Sequence, residues 1–134
     1  MNRDLKNNIS AVQSLAPAAR TAAADGAAVD LANYRSAMVV IDAGTATGTD
    51  PSFTFEVQES DTTTSGDFTA VADADLDGTE PVITTANDVA VYEIGYRGRK
   101  RYLRVTIETV GGTSTPTLPC TGLVLRGSPR VAPK

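Results

Sequence analysis

The sequence predicts an all-β fold: a single antiparallel β-sandwich or jelly-roll-like domain with an extended N-terminal arm. Three observations predict it. About seven or eight short runs of β-branched and aromatic residues are separated by clusters of Gly, Pro, Asp and Thr, the punctuation of a sandwich. Two of these runs alternate with period 2, Phe53, Phe55 and Val57 against Thr54, Glu56 and Gln58, and Leu103, Val105 and Ile107 against Arg104, Thr106 and Glu108. Such alternation buries one face and wets the other. Finally, no apolar pattern of helical period is long enough for a βαβ crossover.

Taken in order, residues 1–24 read as the arm, 25–127 as the β-sandwich domain and 128–134 as a proline-bearing tail. In the arm, Ile9, Val12, Leu15 and Ala16 have helical spacing, but Pro17 stops the run, so it predicts a short helix or an extended segment. Asp25-Gly26 is a turn signal. The continuous apolar run from Ser36 to Asp42 suits a central strand covered on both faces. Residues 43–51 read as a loop and 52–59 as the clearest strand. Short strands are expected at 68–71, 81–85 and 89–96, then at 102–110 and 121–127, with a loop over Gly111-Gly112 and Pro116 to Pro119.

The composition narrows function. A chain of 134 residues fits one domain burying roughly two-thirds of its unfolded surface. Its single cysteine, Cys120, has no partner in the chain, and the neighbouring sequence supplies no second metal ligand, so a small buried or half-buried thiol is expected. There is no histidine, the usual general base beside a Ser or Cys nucleophile. The expectation is therefore a non-enzymatic protein without cofactors. Arg3 and Lys6 are followed by a run interrupted at Ser10, Gln13 and Ser14, unlike a secretory signal. No apolar stretch approaches the ~20 residues of a membrane span, so the chain is expected to be soluble and made in a cytoplasm.

Charge is segregated along the chain. Residues 36–96 carry twelve Asp or Glu and no Lys or Arg, whereas residues 97–134 carry eight Lys or Arg and one Glu. Surfaces normally intersperse the two signs. If the segregation survives folding, copies of the protein could meet acidic face to basic face.

The densest positive charge falls in the stretch 92–109, where two strand-forming runs are joined at Gly95-Tyr-Arg-Gly-Arg-Lys-Arg101. This reads as a β-hairpin with a basic tip, and Arg97, Arg99, Lys100, Arg101 and Arg104 are the candidate partner-binding residues. Ile94-Gly95-Tyr96-Arg97-Gly98 also resembles the glycine loop of KH domains. That loop joins helices, and the net charge of −4 opposes nonspecific nucleic-acid binding, so no nucleic acid and no membrane are expected as partners. Asp73-x-Asp75-x-Asp77-Gly78 matches the start of an EF-hand loop, yet Thr84 stands where the bidentate glutamate belongs. No metal is expected; Asp73, Asp75 and Asp77 remain a weak calcium candidate beside an ordinary acidic turn. No carboxylate spacing singles out an acid/base pair. Asn8-Ile9-Ser10 fits the N-glycosylation pattern, which matters only in a secretory pathway.

Several segments together resemble a family of small structural proteins of tailed bacteriophages and prophages, of decoration or cement type. They are M-N-R-D-L-K-N-N-I-S-A-V-Q-S-L-A-P-A-A-R-T, D-L-A-N-Y-R-S-A-M-V-V-I-D-A-G, the F-E-V-Q-E-S-D and D-F-T-A-V pair, and G-Y-R-G-R-K-R-Y-L-R-V. The resemblance spans most of the chain and brings no catalytic residues with it. It implies a virion protein present in the host cytoplasm during assembly, with the major capsid protein and neighbouring copies of itself as partners, as a homo-oligomer on the virion. A capsid decoration role is the leading expectation and a head-tail junction or tail role the first alternative. A five-residue likeness of Arg101-Tyr-Leu-Arg-Val105 to a strand of discoidin-type jelly rolls adds an alternative of another class, a carbohydrate-binding module for host attachment.

Overall fold

The computed structural model describes residues 3–129, which form ten antiparallel strands and two short 3-10 turns. In chain order the strands are β1 (Ile9–Arg20), β2 (Ala24–Asp25), β3 (Val29–Asp30), β4 (Tyr34–Ala43), β5 (Thr47–Ser60), β6 (Thr69–Ala70), β7 (Leu76–Asp77), β8 (Val82–Ile83), β9 (Ala90–Tyr96) and β10 (Tyr102–Pro129). The 3-10 turns are Ser65–Asp67 and Asp73–Asp75. Among the described residues no helix is long and apolar enough to cross a membrane.

The strand order is β6-β5-β10-β4-β9-β7, with β1, β2 and β3 also pairing with β10, and β8 with β5. Strand β10 is the spine. Its first part lies between β5, with Val105 opposite Val57, and the short β2 and β3. Its last part lies between β1 and β4, with Val124 opposite both Val12 and Val39. Between the two parts the chain bends through left-handed residues, Gly112 (φ 106), Ser114 (φ 59) and Thr115 (φ 53). Gly112 is needed there on two counts: its φ is one that side chains rarely adopt, and a Cβ would sit 2.7 Å from the Asp50 carbonyl oxygen.

The bend curls the sheet until the two parts of its longest strand face each other. A Cβ placed on Gly122 would lie 3.2 Å from Val105 Cβ and 3.3 Å from Leu15 Cβ. The glycine thus lets the facing strands approach. Into the space between them point Phe53, Phe55, Val57, Leu103, Val105 and Ile107 from one part, and Leu15, Val39, Ile41, Ile94, Leu118 and Val124 from the other, each at most 2 % exposed. Full burial of such a side chain contributes about 1.5–3 kcal/mol. These residues include the inward sets read from the two period-2 runs.

A buried serine ties the two parts of the curled sheet by polar contacts. Ser14 Oγ accepts a hydrogen bond from the Val105 N–H (2.9 Å) and donates to the Ala27 carbonyl (2.8 Å). The Ala27 N–H returns a bond to the Ser14 carbonyl (2.6 Å), and the Gly26 N–H donates to the Val105 carbonyl (2.9 Å). Gly26 has to be small here, because a Cβ would collide with the Val105 carbonyl and the Ser14 hydroxyl.

Three sequence expectations are corrected. The segment expected as an arm is in large part β1, a full member of the sheet paired with β10 from Ile9↔Gly127 to Arg20↔Leu118. Pro17 is accommodated because the register slips between Leu15 and Ala18, and a residue without an N–H is tolerated at such an irregularity. Second, the hairpin does not exist. Strand β9 pairs with β4 (Ile94 opposite Val39) and β7, whereas the first part of β10 pairs with β5 and β3. Residues 97–101 cross between the two parts of the curled sheet. Period-2 alternation identifies the buried face of a strand but not its neighbour, so a crossing and a turn share one sequence pattern. Third, the loop expected over 111–119 is continuous with β10. Of the expected tail, Ser128 and Pro129 close β10, and the rest lies outside the described residues.

A basic cavity as candidate functional site

The crossing at 97–101 packs against the segment that leads into β4, and a cavity of about 260 Å³ lies between them. Asp30, at the end of β3, holds both walls. Its carboxylate accepts a forked pair from Arg101, Nε to Oδ1 at 3.0 Å and Nη2 to Oδ2 at 2.9 Å, and a further bond from the Ala32 N–H at 2.9 Å. The Leu31 N–H donates to the Arg101 carbonyl (2.8 Å) and completes the seam. On the outer wall Asn33 takes a left-handed φ of 72°, a conformation asparagine tolerates better than most side chains. The Arg101 hydrogen bond is the main cause that holds the Asp30 carboxyl down at about 2.

Tyr96 stiffens the opposite wall. Its buried ring carries a hydroxyl that donates to Glu59 Oε1 (2.7 Å) and accepts from the Lys100 N–H (3.2 Å). Burial first, and the Glu59 contact second, push its pKa well above the ordinary phenol value.

Four cationic residues line this cavity, Arg35, Arg99, Lys100 and Arg101, and no acidic residue does. They differ in commitment. Arg101 is matched by Asp30, and Lys100 Nζ is paired with Asp61 at 2.9 Å, an exchange that lowers the Asp61 pKa and raises that of Lys100. Arg35 and Arg99 are exposed, and neither makes a side-chain hydrogen bond, an ion pair or a ring contact among the described residues. Two arginines without a side-chain partner among the described residues therefore line one cavity.

The structure separates the five residues read from the sequence. Arg97 lies outside the cavity, 3.4 Å from Asp77, with its N–H bonded to the Asp75 carbonyl. Arg99, Lys100 and Arg101 come together there. Arg104 belongs to the interior. Its Nε donates to Gln58 Oε1 (2.8 Å) and its Nη1 to Ser65 Oγ (3.0 Å), Asp25 lies 3.8 Å away, and the guanidinium stacks 4.2 Å from the Phe68 ring centre. Only 7 % of that side chain is exposed, so it is unavailable to a partner. The alternation rule placed Arg104 on the outer face correctly; the 65–68 segment then roofs it. Arg35 was missed because it stands alone in sequence, far from the basic run, and only the packing of chain segments 31–37 and 96–101 adds it.

Negative charge gathers elsewhere, on the outer face of β5 and β10. Glu56 and Glu108 are close enough for the Glu56 charge to raise the Glu108 pKa. Beside them Glu80 caps an unpaired stretch of strand edge, its Oε2 accepting the Val57 N–H at 2.5 Å, and burial followed by the neighbouring carboxylates raises its pKa. The calcium candidates do not converge. Asp73 and Asp75 sit on a 3-10 turn and Asp77 faces Arg97, and among the described residues no group of three or more His, Cys, Asp or Glu is arranged to hold a metal ion. Ser10 of the glycosylation pattern accepts a bond from Arg126 Nη2 (2.8 Å). Cys120 is buried, and desolvation pushes its thiol up to about 11.

No family model, no curated protein and no solved structure matches the chain. Chemically, the cavity is suited to holding an anion. Planar guanidinium groups grip carboxylate or phosphate oxygens by paired hydrogen bonds, as Arg101 already does with Asp30 at the rim.

Proposed function

We propose that the chain is a non-enzymatic virion structural protein of a tailed bacteriophage, a decoration or cement protein that docks on the outer surface of the head and stabilises it. The observation that carries this reading is a pair of arginines, Arg35 and Arg99, that line one cavity and have no side-chain partner among the described residues, in a protein whose net charge is −4. A basic spot on an acidic protein favours an acidic protein surface over a polyanion, because the rest of the molecule repels a long run of phosphates. The sequence resemblance to phage structural proteins supports the virion setting. A small β domain repeated by shell symmetry adds buried surface at each copy, so modest contacts accumulate. Neighbouring copies of the protein are expected to touch on the shell.

The same reading takes the curled sheet as a two-layered sandwich of jelly-roll type. It is supported by the single strand β10 serving both parts, and by Val105 facing Gly122 across the core. Layers held by a shared strand, by Ser14 and by a continuous core resist shear, as a clamp between capsomers needs.

The test is co-sedimentation of purified protein with expanded shells that lack it, followed by heating or osmotic challenge. Saturable binding at hundreds of copies per particle with increased shell survival is the expected result. Binding at only a few copies would move the protein to the head-tail junction or tail. Absence of binding, with shells equally robust without it, would defeat the reading.

A further inference from the structure

We infer that the cavity between residues 31–37 and 96–101 is a carboxylate seat, which receives an Asp or Glu side chain from an acidic segment of a partner protein and holds it between Arg35 and Arg99. The inference rests on the docking reading above and names its contact. Three observations carry it. The cavity is lined by cationic residues in excess of anionic ones: Asp30 and Asp61 account for Arg101 and Lys100, and among the described residues no partner accounts for Arg35 or Arg99. Its walls are pre-set by the Asp30 seam and the Tyr96 hydroxyl, so little ordering is required when a guest arrives. Its volume, about 260 Å³, falls just below the ~300–1,000 Å³ of pockets that enclose whole small molecules. One or two side chains of a docking segment fit that space.

The choice of carboxylate over phosphate follows from the surroundings. The Glu56, Glu80 and Glu108 face and the exposed Asp61, Asp67 and Asp77 lie on the same small domain. A short acidic segment carries few charges and tolerates these neighbours; a phosphodiester backbone carries one at every step.

The experiment uses the full chain and three probes, followed by amide chemical-shift titration and calorimetry. The probes are a capped tetrapeptide made only of glutamate, its capped counterpart made only of glutamine, and inorganic phosphate. The glutamate peptide is expected to bind saturably, with shifts centred on residues 31–37 and 96–101. The double variant Arg35→Gln/Arg99→Gln should weaken it by about tenfold or more at unchanged melting temperature, and Lys6→Gln should not. Equal binding by the double variant, equal binding of the glutamine peptide, no saturable binding, or tighter binding of phosphate than of the glutamate peptide would each overturn the carboxylate seat. Shell binding separates the two ideas. If the double variant still decorates shells normally, the seat is wrong and the virion reading stands; if the native chain binds the peptide but no shell, the reading fails and the seat stands.

Discussion

Arg99 and Arg104 stand five positions apart in one basic run, and the fold puts them to opposite uses. Arg99 lies on the crossing between the two parts of the curled sheet, exposed, without a side-chain partner among the described residues, and lining the same cavity as Arg35. Arg104 lies on β10, on the outer face of the sheet, and is consumed by Gln58, Ser65, Asp25 and Phe68. Positive charge counted along a chain is therefore not positive charge offered to a partner. A strand residue two or more steps from the end of its strand can be roofed by the next loop, whereas a residue on a short crossing has too few neighbours to cover it.

Four measurements test whether the two arginines differ in this way. The largest effect is expected at Arg104. Arg104→Ala strands Gln58 and Ser65 and empties the space above Phe68, which should cost about 2–4 kcal/mol of stability in urea denaturation; a loss below ~0.5 kcal/mol would show that the roofed arginine is as dispensable as a surface one. Next comes Ser14→Ala, which removes one acceptor and one donor between facing strands. It should cost about 1–3 kcal/mol through the orphaned Val105 N–H and Ala27 carbonyl, and faster amide exchange at Val105 is the specific readout.

A smaller effect is expected at Asp30, because its pair with Arg101 is more than a third exposed and solvent screens it. The carboxyl is held at about 2 in the fold against 3.8 in the open chain. Its contribution is thus complete above about pH 4 and is lost as pH falls toward 2. Asp30→Asn should cost ~1 kcal/mol or less at neutral pH, and the gap between the variant and the native chain should close over that acid window. A gap that persists unchanged at pH 2 would show that Asp30 acts by shape rather than charge. Smallest of all, Arg99→Gln and Arg35→Gln, singly or together, should leave stability within ~0.5 kcal/mol while removing the cavity's excess charge. A clear loss of stability from either would place it with Arg104 among the structural cations.

The contrast also locates what could be read in advance. The inward sets Phe53, Phe55 and Val57 and Leu103, Val105 and Ile107 were legible, because strand geometry alternates side chains and burial rewards the apolar ones. Most strands were legible from the same runs, and so was the buried Cys120. The pairing of β9 and β10 was misread, since nothing local distinguishes a five-residue crossing from a five-residue turn. The strand at Ile9–Arg20 was obscured by Pro17 and by alanines, which are depleted in strands and gained this one from its long partner β10. At the site, Arg99, Lys100 and Arg101 announced themselves as a run. Arg35 and Asp30 did not, because a lone cation or anion in sequence carries no sign of the neighbour it will meet.

An all-β chain, the faces its strands bury, and the place where its basic residues concentrate each follow from period, propensity and composition over a few neighbouring positions. The bend of β10 at Gly112, the crossing of the 97–101 segment in place of a turn, and the cations left without a partner among the described residues came from packing. Those outcomes depend on contacts between residues tens of positions apart, Arg101 with Asp30, Arg104 with Gln58 and Val105 with Ser14. Such contacts are set by the lowest free energy of the whole packed sheet and have no local signature to read.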